Sequence, residues 1–242
     1  MMKIYIAGTG PGGAGEMTPR ARGAIESCDV IAGYGLYIDL IGELAEGKEI
    51  IATGMTGEAE RCRAAIQAAR SGKSVCVISG GDAGVYGMAG LVCELAEGLS
   101  DIEIEVIPGV TAACSASAVL GAPLTHDFAA ISLSDRLTSW DTIETRLRLA
   151  AQADFVICLY NPASKARAGH LKKACETVME HRPAKTPCGA VRNIGRGGES
   201  GKIMSLKELC DFEADMFTTV IIGSSVTRVI DGRLVTPRGY PL

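Results

Sequence analysis

Short apolar, β-branched runs that each break off in glycine, proline or small polar residues recur along the 242 residues, and this pattern constrains the fold more than any other feature. They stand at 3–7, 30–32, 74–79, 102–107, 155–159, 189–191 and 219–222. Between them lie stretches with helical spacing. In 58–70, Cys62, Ala65, Ile66 and Ala69 share one face, charges take the other, and Gly72 closes the segment. Thr18-Pro19 reads as an N-cap followed by proline at the first helical position. Strands alternating with helices imply βα units and mostly parallel sheets. The strands are too many for one small sheet, so the pattern predicts two α/β domains. The hinge falls in the small-residue stretch 109–125, giving domains 1–113 and 114–242.

Composition narrows the class. Thirty glycines against four Phe and one Trp fit many tight strand-to-helix turns rather than an aromatic-rich sandwich. The nine cysteines are scattered through apolar runs with no CxxC pair, as expected of reduced core thiols and not of a zinc site. With only three histidines, a histidine-rich metal centre is not expected either. No secretory signal follows the first strand and no apolar run approaches a membrane span of about 18 residues, so the expectation is a cytoplasmic protein. Residues 136–202 carry twelve Lys/Arg against six Asp/Glu, a local +6 inside an overall −4. That excess reads either as a solvated face or as a surface for a polyanionic ligand. No aromatic-and-basic motif points to nucleic acid.

In parallel α/β sheets, ligands bind beyond the carboxyl ends of the strands. After the first strand comes Gly8-Thr9-Gly10-Pro11-Gly12-Gly13, which formally matches the dinucleotide fingerprint GxGxxG. The helix signal, however, begins only at Thr18, and Asp29 precedes the second strand rather than ending it. The loop therefore reads as a cofactor turn of another kind, with nicotinamide binding as the alternative. Ser79 to Met88 holds four glycines within eight residues, where a ligand can lie against backbone; Asp82 either serves that ligand or caps a turn. Pro108-Gly109-Val110-Thr111 opens a helix of very small residues with Thr111 as its N-cap. Leu159-Tyr160-Asn161-Pro162 and Arg192-Asn193-Ile194-Gly195-Arg196 follow later strands.

Together, GTGPGG, GGDAGVYGMA, PGVTAA, GAPLTHDFAAISLSD and LYNPASKAR resemble the tetrapyrrole methylase family over about residues 3–223. The ISLSD and YNPASK segments, with VRNIGR and DMFTTVIIG, resemble its C17 branch. The resemblance implies a class III methyltransferase-like fold of two αβα domains with the active site in the interdomain cleft. It implies S-adenosylmethionine as methyl donor, held largely by main chain. Carried over by motif, the cofactor contacts are Pro11, Gly80, Gly81, Asp82, Val85, Thr111, Ala112, Asn161 and Ile194. Asn161 departs from relatives of other specificity, which often carry an apolar residue there. The implied reaction is C17 methylation of precorrin-3B or cobalt-factor III with ring contraction, in cobalamin biosynthesis, by a homodimer.

A tetrapyrrole carries several carboxylates, which gives the basic segment a specific reading. Lys165, Arg167, Arg192 and Arg196 follow strand ends and are the candidate substrate contacts. Contraction needs proton transfers at oxygenated carbons, for which His126 and Asp135 are the candidates. The His126-Asp127 pair also reads as a hydrogen-bonded turn, and Asp135 as the cap of a following helix. Three readings stay open on the residues alone. They are a tetrapyrrole methyltransferase of this or another branch (C11, C20 or uroporphyrinogen), a nicotinamide oxidoreductase, and a non-catalytic anion-binding module.

Overall fold

Five parallel strands organise residues 1–112, the first of two units into which the chain divides in the computed structural model; the second is 113–242. Residues 2–54, 56–164 and 167–241 are described. The first unit runs β1 (Met2–Gly8), α1 (Pro19–Ser27), β2 (Val30–Tyr34), α2 (Gly35–Ile41), β3 (Glu49–Thr53), α3 (Glu58–Arg70), β4 (Val75–Ser79), α4 (Ala89–Leu95) and β5 (Ile102–Ile107). Its strands lie in the order β3-β2-β4-β1-β5. The side-chain period of two divides the apolar residues between the two faces. Ile4, Ile6, Val75 and Val77 pack with Cys62, Ala65 and Ala69 of α3 and with Ala89 and Val92 of α4. Their neighbours Ala7, Cys76 and Ile78 pack with Ala21, Ala24 and Ile25 of α1 and Ile41 of α2. Three layers result, and β4 is buried along its whole length because both its faces are covered.

The order also places the ligand end. β1 connects through α1 to β2 on one side, while β4 connects through α4 to β5 on the other. β1 and β4 are adjacent, so at their carboxyl ends the chain leaves in opposite directions and a crevice opens. The expected helix over 58–70 and the Thr18 cap are both present; Thr18 Oγ1 accepts from Ala21 N at 3.1 Å. Edge strand β3 lacks the pattern of an apolar run because most of its residues face solvent.

The second unit contains α5 (Ala112–Leu120), which starts on the last residue of the first, then β6 (Gly121–Ala122), β7 (Phe128–Ser132), α6 (Trp140–Gln152) and β8 (Val156–Tyr160). Next come α7 (His170–Met179), β9 (Pro187–Arg192), β10 (Ser200–Ser205), α8 (Leu206–Leu209) and β11 (Thr218–Ile222). Its main sheet has the order β10-β9-β11-β8-β7. Only β7–β8 is a parallel pair there; β10–β9, β9–β11 and β11–β8 are antiparallel. Residues 193–199 are too few for a crossover, so β10 returns beside β9 as a hairpin. A small sheet of β12 (Arg228–Ile230), β13 (Arg233–Val235) and β6 completes the unit. Ile157, Leu159, Ala190, Val220 and Ile222 pack on one face against Ile143 and Leu147 of α6, Leu171 and Cys175 of α7, and Leu206 of α8. On the other face Leu120 of α5 lies on Gly189, where a Cβ would come within 2.5 Å of its Cδ1. Among the described residues no helix is long and apolar enough to cross a membrane.

One buried cation ties this unit together. Arg182, 4% exposed, donates from Nε to Ala151 O at 3.2 Å, from Nη2 to Phe155 O at 2.8 Å and from Nη1 to Gly223 O. Asp154 Oδ1 stands 3.3 Å from Nη2. The guanidinium thus satisfies carbonyls of α6, of the turn after it and of the chain leaving β11. Replacing it with Leu strands three buried acceptors, at about 1 kcal/mol or more each. Arg182→Leu is expected to lower the unfolding free energy by about 3 kcal/mol, measured by urea denaturation with an unchanged slope.

Candidate active site

Three loops of the first unit meet at the crevice. Gly10 and Gly81 exchange main-chain hydrogen bonds, N to O, of 3.0 and 2.7 Å. Thr9 donates to Ser79 O from both N (2.9 Å) and Oγ1 (3.1 Å). Gly109 then packs on both loops. A Cβ added there would lie 2.2 Å from Gly81 O and 2.6 Å from Gly8 O, and one at Gly8 would meet Gly109 N at 2.6 Å. Three main chains are in direct contact with no side chain between them.

Asp82 fastens this junction. Its Oδ1 accepts from Gly84 N (2.7 Å) and Val85 N (3.1 Å), and its Oδ2 accepts from Gly109 N (2.9 Å). Asp82 therefore organises its own turn and the next loop rather than capping α4, which begins at Ala89. Ser79 Oγ accepts from Met88 N at 3.0 Å, closing the same loop. Val85 and Tyr86 stand exposed at its tip, Tyr86 with φ +54°. Gly80 leaves room for Tyr37, whose ring a Cβ would meet at 2.5 Å. Pro11 is buried, while Thr111 and Ala112 follow Gly109 into α5. The first loop does not run into a helix: a 3₁₀ turn (Ala14–Glu16) intervenes and α1 starts at Pro19. The glycines are thus not at a helix N-terminus, which the nicotinamide alternative requires.

In the second unit, β7, β8 and β9 all end on one sheet edge, since β11 is antiparallel to both β8 and β9. Tyr160 O accepts from Leu133 N (2.9 Å), and Tyr160 Oη accepts from Ala113 N (3.0 Å). Asn161, with φ +52°, donates from Nδ2 to Ser132 Oγ at 3.0 Å. Ile194 is buried in the loop after β9. Arg192 pairs with Asp215 at 2.6 Å, and the Arg196 guanidinium lies 5.6 Å from the Phe217 ring centre. Arg167 Nη1 stands 3.8 Å from Asp135 Oδ1, and its Nε is buried without an acceptor among the described residues. Lys165 lies outside the described residues.

This edge gathers Asp135, Asn161, Arg167, Arg192, Ile194 and Arg196. His126 is not among them. It precedes β7 and so sits at the opposite edge, on a cavity of about 230 Å³ shared with Asp127, Asp154 and Ser224. Its Nδ1 accepts from Asp127 N at 2.9 Å, the turn foreseen as the other reading of that pair. Nor does Asp135 cap a helix; Ser139 caps α6. His170 and Trp140, whose rings lie 4.6 Å apart beside Asp135, were not picked out by sequence. Neither belongs to a motif, and only the folding of α7 and α6 beside the end of β7 brings them there.

Burial pushes the thiols of Cys62 up to about 11 and of Cys158 and Cys188 to about 12. They are neutral near pH 7 and poor nucleophiles or metal ligands. Among the described residues no group of three His, Cys, Asp or Glu side chains could hold a metal ion.

The three-layer first unit and the mixed-sheet second unit carry the fold of a known family. The chain belongs to the tetrapyrrole (corrin/porphyrin) methylases, whose family model matches residues 3–210. It is 47% identical to a probable cobalt-factor III C(17)-methyltransferase of Salmonella typhimurium, over 99% of this chain and 100% of that protein. It is 44% identical to a precorrin-3B C(17)-methyltransferase of Sinorhizobium sp, over 98% of this chain and 96% of that one. Some other relatives are longer, and the chain spans 45% and 53% of two of them. The crystal structure of the methyltransferase CobJ superposes with a TM-score of 0.91 at 34% identity, covering 98% of this chain and 100% of that one.

Glycine positions separate the junction from ordinary helix. Gly109→Ala is expected to cost about 1–3 kcal/mol, the usual penalty for overpacking. Gly90 in α4 has nothing within 4 Å of an added Cβ, and Gly90→Ala is expected to stabilise by about 0.5 kcal/mol. Chemical unfolding of the two variants checks both signs.

Proposed function

We propose that this protein transfers a methyl group from S-adenosylmethionine to C17 of a tetrapyrrole in cobalamin biosynthesis, with contraction of the macrocycle, on precorrin-3B or cobalt-factor III. The observation that carries the reading is the end-to-end match, at 47% and 44% identity, to two proteins named as C17-methyltransferases. The first unit fits the cofactor. Gly8, Gly81 and Gly109 bring main chain against main chain, and a Cβ at Gly8 or Gly109 would lie within 3 Å of its neighbours' backbone. Pro11, Gly80, Gly81, Asp82, Val85, Thr111 and Ala112 are the proposed contacts, and Asn161 and Ile194 are assigned to the adenosine.

S-adenosylmethionine supplies a methyl group already activated on a cationic sulfur. The protein's own contribution is then chiefly alignment, the effect that fixed main chain delivers best. Asp82 holds the 80–88 turn and Gly109 in register and leaves little freedom in the junction. Arg167, Arg192 and Arg196, with Lys165, are the proposed partners of the macrocycle's carboxylates. Asp135 is the proposed acid–base group of the contraction. His126 stands at the other edge, away from Asp135 and the arginines, and is left out of this assignment. The reading includes a homodimer in the cytoplasm.

Anaerobic incubation with S-adenosylmethionine and each tetrapyrrole, followed by product mass and absorption spectrum, tests it. Gain of one methyl group with one substrate is expected; methylation of neither overturns the C17 assignment. Arg192→Ala is expected to raise the KM for tetrapyrrole roughly 10-fold, the worth of one charge-assisted hydrogen bond. S-adenosylhomocysteine affinity should not change. Equal effects on both would remove Arg192 from the substrate contacts.

A further inference from the structure

We propose that His170 is a positioning residue that stores a proton for Asp135 during ring contraction; the proposal rests on the C17 reading above. His170 Nδ1 lies 2.9 Å from Leu133 O. A carbonyl can only accept, so Nδ1 carries a hydrogen, and Nε2 is the one ring atom left to gain or lose a proton. Nε2 faces Asp135 Oδ2 at 3.6 Å. A proton between them has a nitrogen lone pair on one side and a carboxylate oxygen on the other. In the resting pair that place is empty, and a proton received by Asp135 can move on to Nε2.

The surroundings fit that role. Arg167 Nη1 sets a fixed positive charge 3.8 Å from Asp135 Oδ1. The Trp140 ring centre lies 4.6 Å from that of the imidazole, the two planes tilted by 50°, and closes the inner side of the pair. Lys173 Nζ, 5.5 Å from the Trp140 ring centre, is the further charge on the α7 side. Exposure falls inward: the side chains of Asp135, Arg167 and His170 are 41%, 17% and 13% accessible. Asp135 thus faces the solvent side and His170 stands behind it. In the proposed step a substrate O–H bond breaks and its electron pair stays on oxygen. The proton passes to Asp135 and is held at His170 Nε2. It later returns by the same path to form a bond on the contracted product. The protein ends as it began, with no oxidant or reductant involved.

The competing role is a plain anchor of α7 to Leu133 O. His170→Asn separates the two, because its amide nitrogen can replace Nδ1 as donor while nothing replaces Nε2. His170→Asn is expected to keep wild-type thermal stability and S-adenosylhomocysteine affinity. It should form contracted product about 100-fold more slowly, the lower end of acid–base contributions, and lose one limb of the pH–rate profile. Asp135→Asn should lose the same limb. Wild-type rate and profile in His170→Asn, or recovery of rate relative to His170→Gln, would reduce His170 to an anchor and overturn the proposal. The long-range ¹⁵N–¹H spectrum of a protein with only three histidines reads the tautomer independently of activity. A neutral His170 with its proton on Nε2 also overturns it. Methylation of neither tetrapyrrole by the wild-type protein fails the C17 reading instead.

Discussion

Direct contact between the main chains of Gly8, Gly81 and Gly109 governs the first unit. It requires β4, β1 and β5 to be neighbours, because each glycine stands at or just beyond the end of one of these strands. Adjacent parallel strands lie about 4.8 Å apart, close enough for their outgoing loops to touch when no Cβ intervenes. Asp82 then converts contact into a fixed arrangement, since one carboxylate accepts from three main-chain N–H groups on two loops.

The second unit solves its problem with side chains. Its sheet is mixed, and the antiparallel β11 between β8 and β9 brings their carboxyl ends to a common edge without a further crossover. The residues there are held by polar side-chain contacts: Tyr160 to Ala113, Asn161 to Ser132, Arg192 to Asp215, and Asp135 beside both Arg167 and His170. Away from that edge, Arg182 satisfies buried carbonyls from three segments.

β4 and β8, buried on both faces, form unbroken apolar runs and are legible directly, as are the glycine loops beyond them, while edge strand β5 is legible through its alternation of Ile and Glu. β3 and β10 are not, because edge strands with one solvated side carry Glu49, Lys202 and Ser200 among their residues. β7, with the sequence FAAIS, is masked by the alanines that suit its packing. The candidate site divides in the same way. Loop glycines and Asp82 are local features whose spacing reports a tight turn. His126 and Asp135 are nine residues apart, yet the length of β7 carries them to opposite edges of the sheet, a separation that composition and motif do not encode.

The sequence alone determined the alternation of strands and helices in the first unit, the capped start of α1, the span of α3 and the glycine loops beyond the strands. Each follows from the local period of apolar residues or from the conformational freedom of glycine. Only the tertiary structure decided that β11 runs against its neighbours, that Asp82 reaches across to Gly109, and that His170 turns Nε2 toward Asp135. These depend on which strands lie side by side and on hydrogen bonds between residues 27 to 37 positions apart, and no local pattern carries that information.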